Sequence, residues 1–184
     1  MSQLNNIVFT DAQIAWKNKA REIAVKYLLP QALKHDKEES FNEEAFAACC
    51  AEGMLGVWIP EEYGGTNDGI LALALMVEEF SKADPAFGVA FAVNALGSIP
   101  IIVGGTHEQK ANYLPRVARG EAACAFALSE KFAGSDAGGL SLQATQEGDD
   151  WILKGVPYQC KRCSPPQSPH FCFPNPQQNL SLLT

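Results

Sequence analysis

In the first part of the chain, apolar positions recur at three- and four-residue intervals. Trp16, Ala20, Ile23, Ala24, Tyr27 and Leu28 share one helical face, and Thr10 with Gln13 has capping-box spacing. A helix is therefore predicted from Asp11 to a stop at Pro30. A second, short helix begins after Asn42, with Glu43 and Glu44 at the positive end of its dipole; it buries Phe46, Cys49 and Cys50 and ends near Gly53. Gly56 to Gly65 is dense in turn formers and reads as a loop. Asp68 opens a third helix through Lys82, apolar nearly all round from Ile70 to Val77 and hence central in a bundle. Asp84-Pro85 combines an N-cap with proline at the first helical position and starts a fourth. Beyond Gly104-Gly105, a second capping box, Thr106 to Gln109, opens a helix expected to end around Leu114-Pro115.

After Gly120 the period shortens. Ala123 to Leu128 is a compact apolar run suited to a buried strand, and Ser141 to Gln146 alternates. Gly148-Asp149-Asp150 reads as a turn into Trp151-Ile152-Leu153. Helices first and strands afterwards give an α+β class, with an all-α N-terminal domain over 1–120 and the beginning of a β domain over 121–155. Two or three strands make a marginal sheet unless they pack on something, so the β part reads as unfinished.

Composition sharpens that boundary. All 15 glycines and all 21 acidic residues precede Val156, whereas the last 29 residues hold six of the 11 prolines and three of the six cysteines. A Pro/Ser/Gln-rich stretch without periodicity is expected to be disordered, so 156–184 is read as a non-native or disordered tail. The formal net charge of −7 argues against a nucleic-acid binder. The longest apolar run has eight residues, against about 20 for a membrane span, and the N-terminus lacks a basic start and apolar core. A soluble, cytoplasmic protein without a membrane partner is the expectation.

Chemistry concentrates in Ala127-Leu-Ser-Glu-Lys-Phe-Ala-Gly-Ser-Asp-Ala-Gly-Gly139. Gly134, Gly138 and Gly139 permit positive φ or close approach of another molecule to the main chain. Successive N–H groups there, with the Ser135 hydroxyl, could hold a phosphate. Spacing alone favours a plain glycine-rich strand connection over a phosphate cradle. It is neither a P-loop nor a Rossmann turn, since no Gly-Lys-Ser/Thr follows and no helix opens after it.

This stretch resembles the acyl-CoA dehydrogenase signature at every constrained position from Ala127 to Gly139, with Lys131 where the family often has proline. Trp58 to Gly65, Val77 to Asp84, Gly105 to Lys110 and Gly148 to Gly155 resemble segments of the same family in the same order. The resemblance implies an N-terminal helical domain, a middle β-barrel and a C-terminal helical bundle, with FAD between the last two. It implies α,β-dehydrogenation of an acyl-CoA thioester, a carboxylate taking the α proton while the β hydrogen leaves as hydride to the flavin. Implied partners are the acyl-CoA substrate and an electron-accepting flavoprotein, in a homo-oligomer.

By position, Phe126, Leu128 and Ser129 would lie along the flavin ring, with Gly134 and Ser135 at the FAD pyrophosphate and Ser135 also near the pantetheine of the substrate. Glu130 and Asp136 would order the loop rather than react. A flavin-contacting strand expected after Gly155 and the bundle that carries the base are both missing from the pattern. The expectation is a truncated or frameshifted chain, catalytically incompetent alone, poorly soluble, and with no catalytic residue of its own.

Other readings stay open. Cys160-Lys-Arg-Cys163 with His170 and Cys172 offers zinc-type ligands on a proline-rich stretch ill suited to a compact site, and an unstructured tail is the expectation there. A non-catalytic partner- or metal-binding module, or a same-fold flavin oxidase or monooxygenase, are the competing functions. Cys49, Cys50 and Cys124 read as reduced core residues, His35 and His107 as surface histidines, and the pairs Glu61–Glu62 and Glu78–Glu79 as solvent-facing or capping.

Overall fold

A computed structural model describes residues 9–126, 128–148 and 150–154. Among the described residues, six α-helices precede one β-hairpin: α1 Asp11–Ile23, α2 Ala32–Glu38, α3 Glu43–Ala51, α4 Gly69–Ala83, α5 Pro85–Gly104 and α6 His107–Ala118, then β1 Gln143–Glu147 and β2 Asp150–Lys154. The α+β order therefore holds.

Caps set the helix starts. Gln13 N donates to Thr10 Oγ1 at 3.2 Å and Thr10 N to Gln13 Oε1 at 3.1 Å, and Thr106 with Gln109 repeats the arrangement at α6. Each such cap contributes about 1 kcal/mol. Regular helix in α1 gives way to a π-helical turn over Ala24–Leu28, where Leu29 N reaches back to Ala24 O at 2.8 Å, so helical winding widens but continues to the residue before Pro30. The short α2 was not foreshadowed by any cap: Gln31 makes none, and no residue of α2 is buried. Asn42 works at both ends of its amide. Its Oδ1 accepts from Ala45 N at 2.9 Å, starting α3, while Nδ2 donates to the Tyr27 carbonyl at 3.0 Å. In α3, Ala45 and Cys49 are buried, and Phe46 and Cys50 only half so.

The 56–69 segment folds back on itself, buried over 56–59 and at Tyr63, with Glu61, Glu62, Gly64, Thr66 and Asn67 exposed. Val57, Trp58 and Ile59 are almost fully enclosed, and main-chain bonds from Thr66, Asn67 and Gly69 close back on Gly56, Ile59 and Val57. A side chain at Gly65 would collide with the Ile59 and Gly56 carbonyl oxygens, so close backbone approach requires glycine there. Asp68 precedes α4 but does not cap it. Its Oδ2 accepts instead from Trp16 Nε1 at 2.7 Å and Thr66 Oγ1 at 2.6 Å, tying α1 to the start of α4.

Helix α4 is central, burying Ala72, Leu73, Leu75, Met76 and Phe80, yet Ile70 and Leu71 stay about half exposed. Phe80 meets Phe91 and Phe87 of α5 edge-on, with ring centroids 5.0 and 5.3 Å apart, and Trp58 meets Phe91 at 6.1 Å. Of the pair Glu78–Glu79, Glu78 is exposed as expected, and Glu79 departs from its expected surface role. Glu79 is buried and binds Arg21 of α1 through both oxygens, at 3.0 and 3.1 Å, with Lys82 at 2.8 Å. Hydrogen bonding from Arg21 pulls its carboxyl down to about 2, overriding the opposing effect of burial, with Lys82 assisting.

Helix α5 carries no charged residue over its 20 positions and is, among the described residues, the one helix long and apolar enough to cross a membrane. One side of it, including Phe87, Gly88, Phe91, Ala95 and Ser98, belongs to the protein core, while Val89, Leu96 and Val103 are exposed. Pro115 does not end α6, which runs to Ala118: losing one helical hydrogen bond is offset by burying Leu114, Val117 and Ala118. Strands β1 and β2 pair antiparallel, Gln143 opposite Lys154 and Glu147 opposite Asp150, across a turn with Gly148 at φ +66°.

Candidate functional site

The candidate segment is delivered by the end of α6. Gly120 (φ +71°) turns the chain where a Cβ would strike the side chain of Cys50, and Glu121 N and Ala122 N both bond to Arg116 O. The chain then crosses α5. Asn94, itself buried, accepts from Cys124 N through Oδ1 at 3.1 Å, while its Nδ2 donates to Ala90 O and Phe91 O of its own helix. One turn along, a Cβ on Gly97 would lie 2.7 Å from Cys124 Cβ and 2.8 Å from Ala125 O. Burial pushes the Cys124 thiol up to about 11, so it stays protonated, as do Cys49 and Cys50 in their own buried positions. All three are free cysteines, as expected.

The predicted buried strand over Ala123 to Leu128 does not form among the described residues. Ala123 to Ala125 are half-buried and have no strand partner, and Phe126 and Leu128 are each 40% exposed. The physical reason is that their neighbour is a helix, whose backbone groups are already satisfied, so only Asn94's side chain offers a bond.

Beyond Ser129 the chain makes a tight turn, in which Glu130 N donates to Ala133 O at 2.9 Å and Ala133 N to Glu130 O at 3.3 Å. Ala133 is buried beneath it, and Phe132 points out, 90% exposed. The Glu130 carboxylate spans the loop. It accepts from Ser141 N and Leu142 N, both at 2.8 Å, and from the Ser141 hydroxyl. These donors, the Ser141 hydroxyl foremost, hold its carboxyl below the usual carboxylate range. Glu130 therefore orders the loop, as expected for it. Asp136 turns onto its own loop: Gly139 N donates to its carbonyl at 3.1 Å, and a Cβ on Gly139 would sit 2.8 Å from its Oδ2.

Gly134, Ser135, Gly138 and Gly139 are all exposed. None of these glycines lies in the left-handed region, which corrects the positive-φ argument: what Gly134 provides is open space, with nothing within 4 Å of a would-be Cβ. Ser129 is half-buried, at the base of the turn. The site thus brings two half-exposed apolar side chains, Phe126 and Leu128, into one short run with a hydroxyl at Ser129, a bare backbone at Gly134 and a hydroxyl at Ser135. Such a set fits a flat apolar ring with a polar edge and an attached phosphate chain, which makes FAD a chemically suitable occupant. Among the described residues no group of three His, Cys, Asp or Glu could hold a metal ion, and the Cys160–Cys172 ligands lie outside the described residues. His107 is exposed and contacts the Tyr63 hydroxyl at 3.1 Å; His35 contacts Ser40 Oγ at 2.8 Å.

Sequence reading missed Asn94, Gly97 and Glu79. A signal for the first existed: Asn94 is the one amide-bearing residue in an uncharged apolar helix, three positions before a glycine.

A family model for the acyl-CoA dehydrogenase N-terminal domain matches residues 10–121. A probable acyl-CoA dehydrogenase of Mycobacterium leprae is 40% identical over 135 residues, 73% of this chain and 35% of that one. A chain from the structure of the electron transferring flavoprotein of Acidaminococcus fermentans superposes with a TM-score of 0.76 at 36% identity, covering 82% of this chain and 40% of the other. An acyl-CoA dehydrogenase complexed with FAD from Bacillus anthracis superposes with a TM-score of 0.72 at 30% identity, covering 84% and 26%. The chain spans 35–40% of the length of the curated relatives it matches.

Proposed function

The chain belongs to the acyl-CoA dehydrogenase family, and on that premise we propose that it supplies the helical layer and flavin-side turn of an FAD-dependent oxidoreductase. The reaction would be α,β-dehydrogenation of a fatty or related acyl-CoA thioester. The observation that carries the reading is the cross-braced turn itself. Phe126 and Leu128 stand exposed just before it, and Gly134 and Ser135 present open backbone and a hydroxyl upon it.

When bound, FAD would accept the hydride that leaves the substrate. In this reading Phe126 and Leu128 exclude water from one side of the ring, and Ser129 donates a hydrogen bond to its polar edge. Gly134 admits the pyrophosphate close to the main chain, and Ser135 donates to it and to the pantetheine arm of the substrate. The oxygens of Glu130 are occupied by three donors, so this carboxylate braces the turn, and the acceptor of the α proton would come from outside the described residues. Similarity to a chain in the Acidaminococcus fermentans structure supports an electron transferring flavoprotein as redox partner. A homo-oligomer in the cytoplasm is part of the proposal and is carried by the family resemblance alone.

A chimera tests this: residues 10–154 of this chain replace the matching part of the Mycobacterium leprae relative. The expected product purifies with bound flavin and bleaches on anaerobic addition of an acyl-CoA. Replacing Gly134 with valine in it should lower flavin occupancy. A folded chimera without flavin would overturn the reading.

A further inference from the structure

Helix α5 meets the candidate segment at a single notch. Asn94 Nδ2 is committed to Ala90 O (3.1 Å) and Phe91 O (3.3 Å), which fixes the amide so that Oδ1 faces Cys124 N. Gly97 supplies the depth: its missing side chain is the space occupied by Cys124 and Ala125, whose N and O would lie within 2.9 Å of a Cβ. Two residues after that contact the chain reaches Phe126, and five after it Ser129. Asn94 is 4% exposed, so a lost acceptor there would leave Cys124 N–H without a solvent substitute.

We propose that Asn94 and Gly97 form a seat that fixes where the run from Cys124 to Ser129 leaves the helical layer, making Asn94 a positioning residue for the flavin-facing side chains. The seat itself rests on the geometry above; its link to flavin rests on the function proposed for the turn. Asn94 touches neither reacting atoms nor the turn. It acts through the backbone it anchors, so its loss moves Phe126, Leu128 and Ser129 together.

The experiment uses the full chain and compares Asn94→Ala, Gly97→Ala and, as a control, Ser98→Ala. Ser98 lies on the same helix and accepts from Trp58 Nε1 at 2.8 Å, a comparably buried bond that does not involve the segment. Backbone amide exchange is followed through residues 122–130 and across α4, and FAD binding is read by flavin fluorescence. Asn94→Ala is expected to speed exchange at Cys124 and its neighbours by about tenfold beyond any change in α4, and Ser98→Ala to change both regions alike. Gly97→Ala keeps the Asn94 acceptor and improves helix propensity, so it should speed exchange at 124–126 while leaving α5 at least as protected. That split is one that a merely structural role would not produce. If both seat variants change 122–130 no more than α4, the proposal is overturned. Where wild-type chain binds FAD, the seat variants should weaken it about tenfold and Ser98→Ala should not. Local loosening that leaves flavin occupancy unchanged when the seat variants are placed in the chimera described above would uphold the seat and count against its link to flavin instead.

Discussion

The helical layer and the turn-and-hairpin region are held together by different kinds of contact. In the first, side chains far apart in sequence meet in a closed interior: Phe80 with Phe91, Trp58 with Ser98, Arg21 with Glu79. In the second, the hydrogen bonds described above are short-range apart from the Asn94 bond. Glu130 reaches Ser141 and Leu142, β1 pairs with the adjacent β2, and all five residues of β1 are exposed. A region with its own interior can unfold as one cooperative unit, whereas one held by local braces opens piecemeal. The second region also leaves Phe126, Leu128 and Phe132 uncovered, side chains that a further layer or a bound ring would be expected to take up.

Three substitutions probe that contrast, beginning with the largest effect. Phe91→Ala removes a fully buried ring that touches both Phe80 and Trp58, and should cost about 3–5 kcal/mol of stability in urea titrations followed by helical circular dichroism. A small effect there would mean that the helical layer is not one unit. Glu79→Gln should cost about 2 kcal/mol, since it leaves Arg21 and Lys82 without their shared anion. Its pH signature has a definite sign. The folded pKa, about 2, lies below the unfolded value, so the stabilisation is complete above the ordinary carboxylate range and fades as pH falls from there towards 2. Wild-type stability should therefore drop over that window more steeply than that of the variant. Smallest globally is Glu130→Gln, expected to change the helical unfolding transition by less than about 0.5 kcal/mol while speeding proteolysis within 131–140. An equal loss in both regions would show that the turn is coupled to the helical layer more tightly than Asn94 alone explains.

What the sequence made legible was the chemistry that fits inside four residues. Thr10 with Gln13, Thr106 with Gln109, Asn42 and the Asp84-Pro85 pair all start helices as expected, because a cap needs only its own first turn. The hairpin around Gly148 was visible for the same reason. Asp68 looked like another cap and was not, because Trp16, 52 positions earlier, claims its carboxylate. Pro115 looked like a stop and was not, because burial around it outweighs one missing bond. The short helix α2, uncapped and unburied, left no periodic trace.

For the candidate site, the residues of the turn and the bracing role of Glu130 could be named in advance. The apolar run before it was misjudged as a strand. A compact apolar run says that a segment is covered, and it does not say whether a strand or a helix does the covering. Asn94 and Glu79 act over separations of 30 and 58 residues, beyond any local pattern.

The wide turn at Ala24–Leu28 makes this fold unequally tolerant of changes in length. A hydrogen bond from Leu29 to Ala24 spans five residues where an ordinary helix spans four. Deleting one residue there would let the turn tighten to ordinary winding, because five residues at the π pitch and four at the α pitch sweep nearly the same angle. The Tyr27 carbonyl would still face Asn42, and everything downstream would keep its orientation. The same deletion in the middle of α1, where there is no spare residue, would rotate one half of the helix against the other by about 100° and pull Arg21 out of register with Glu79.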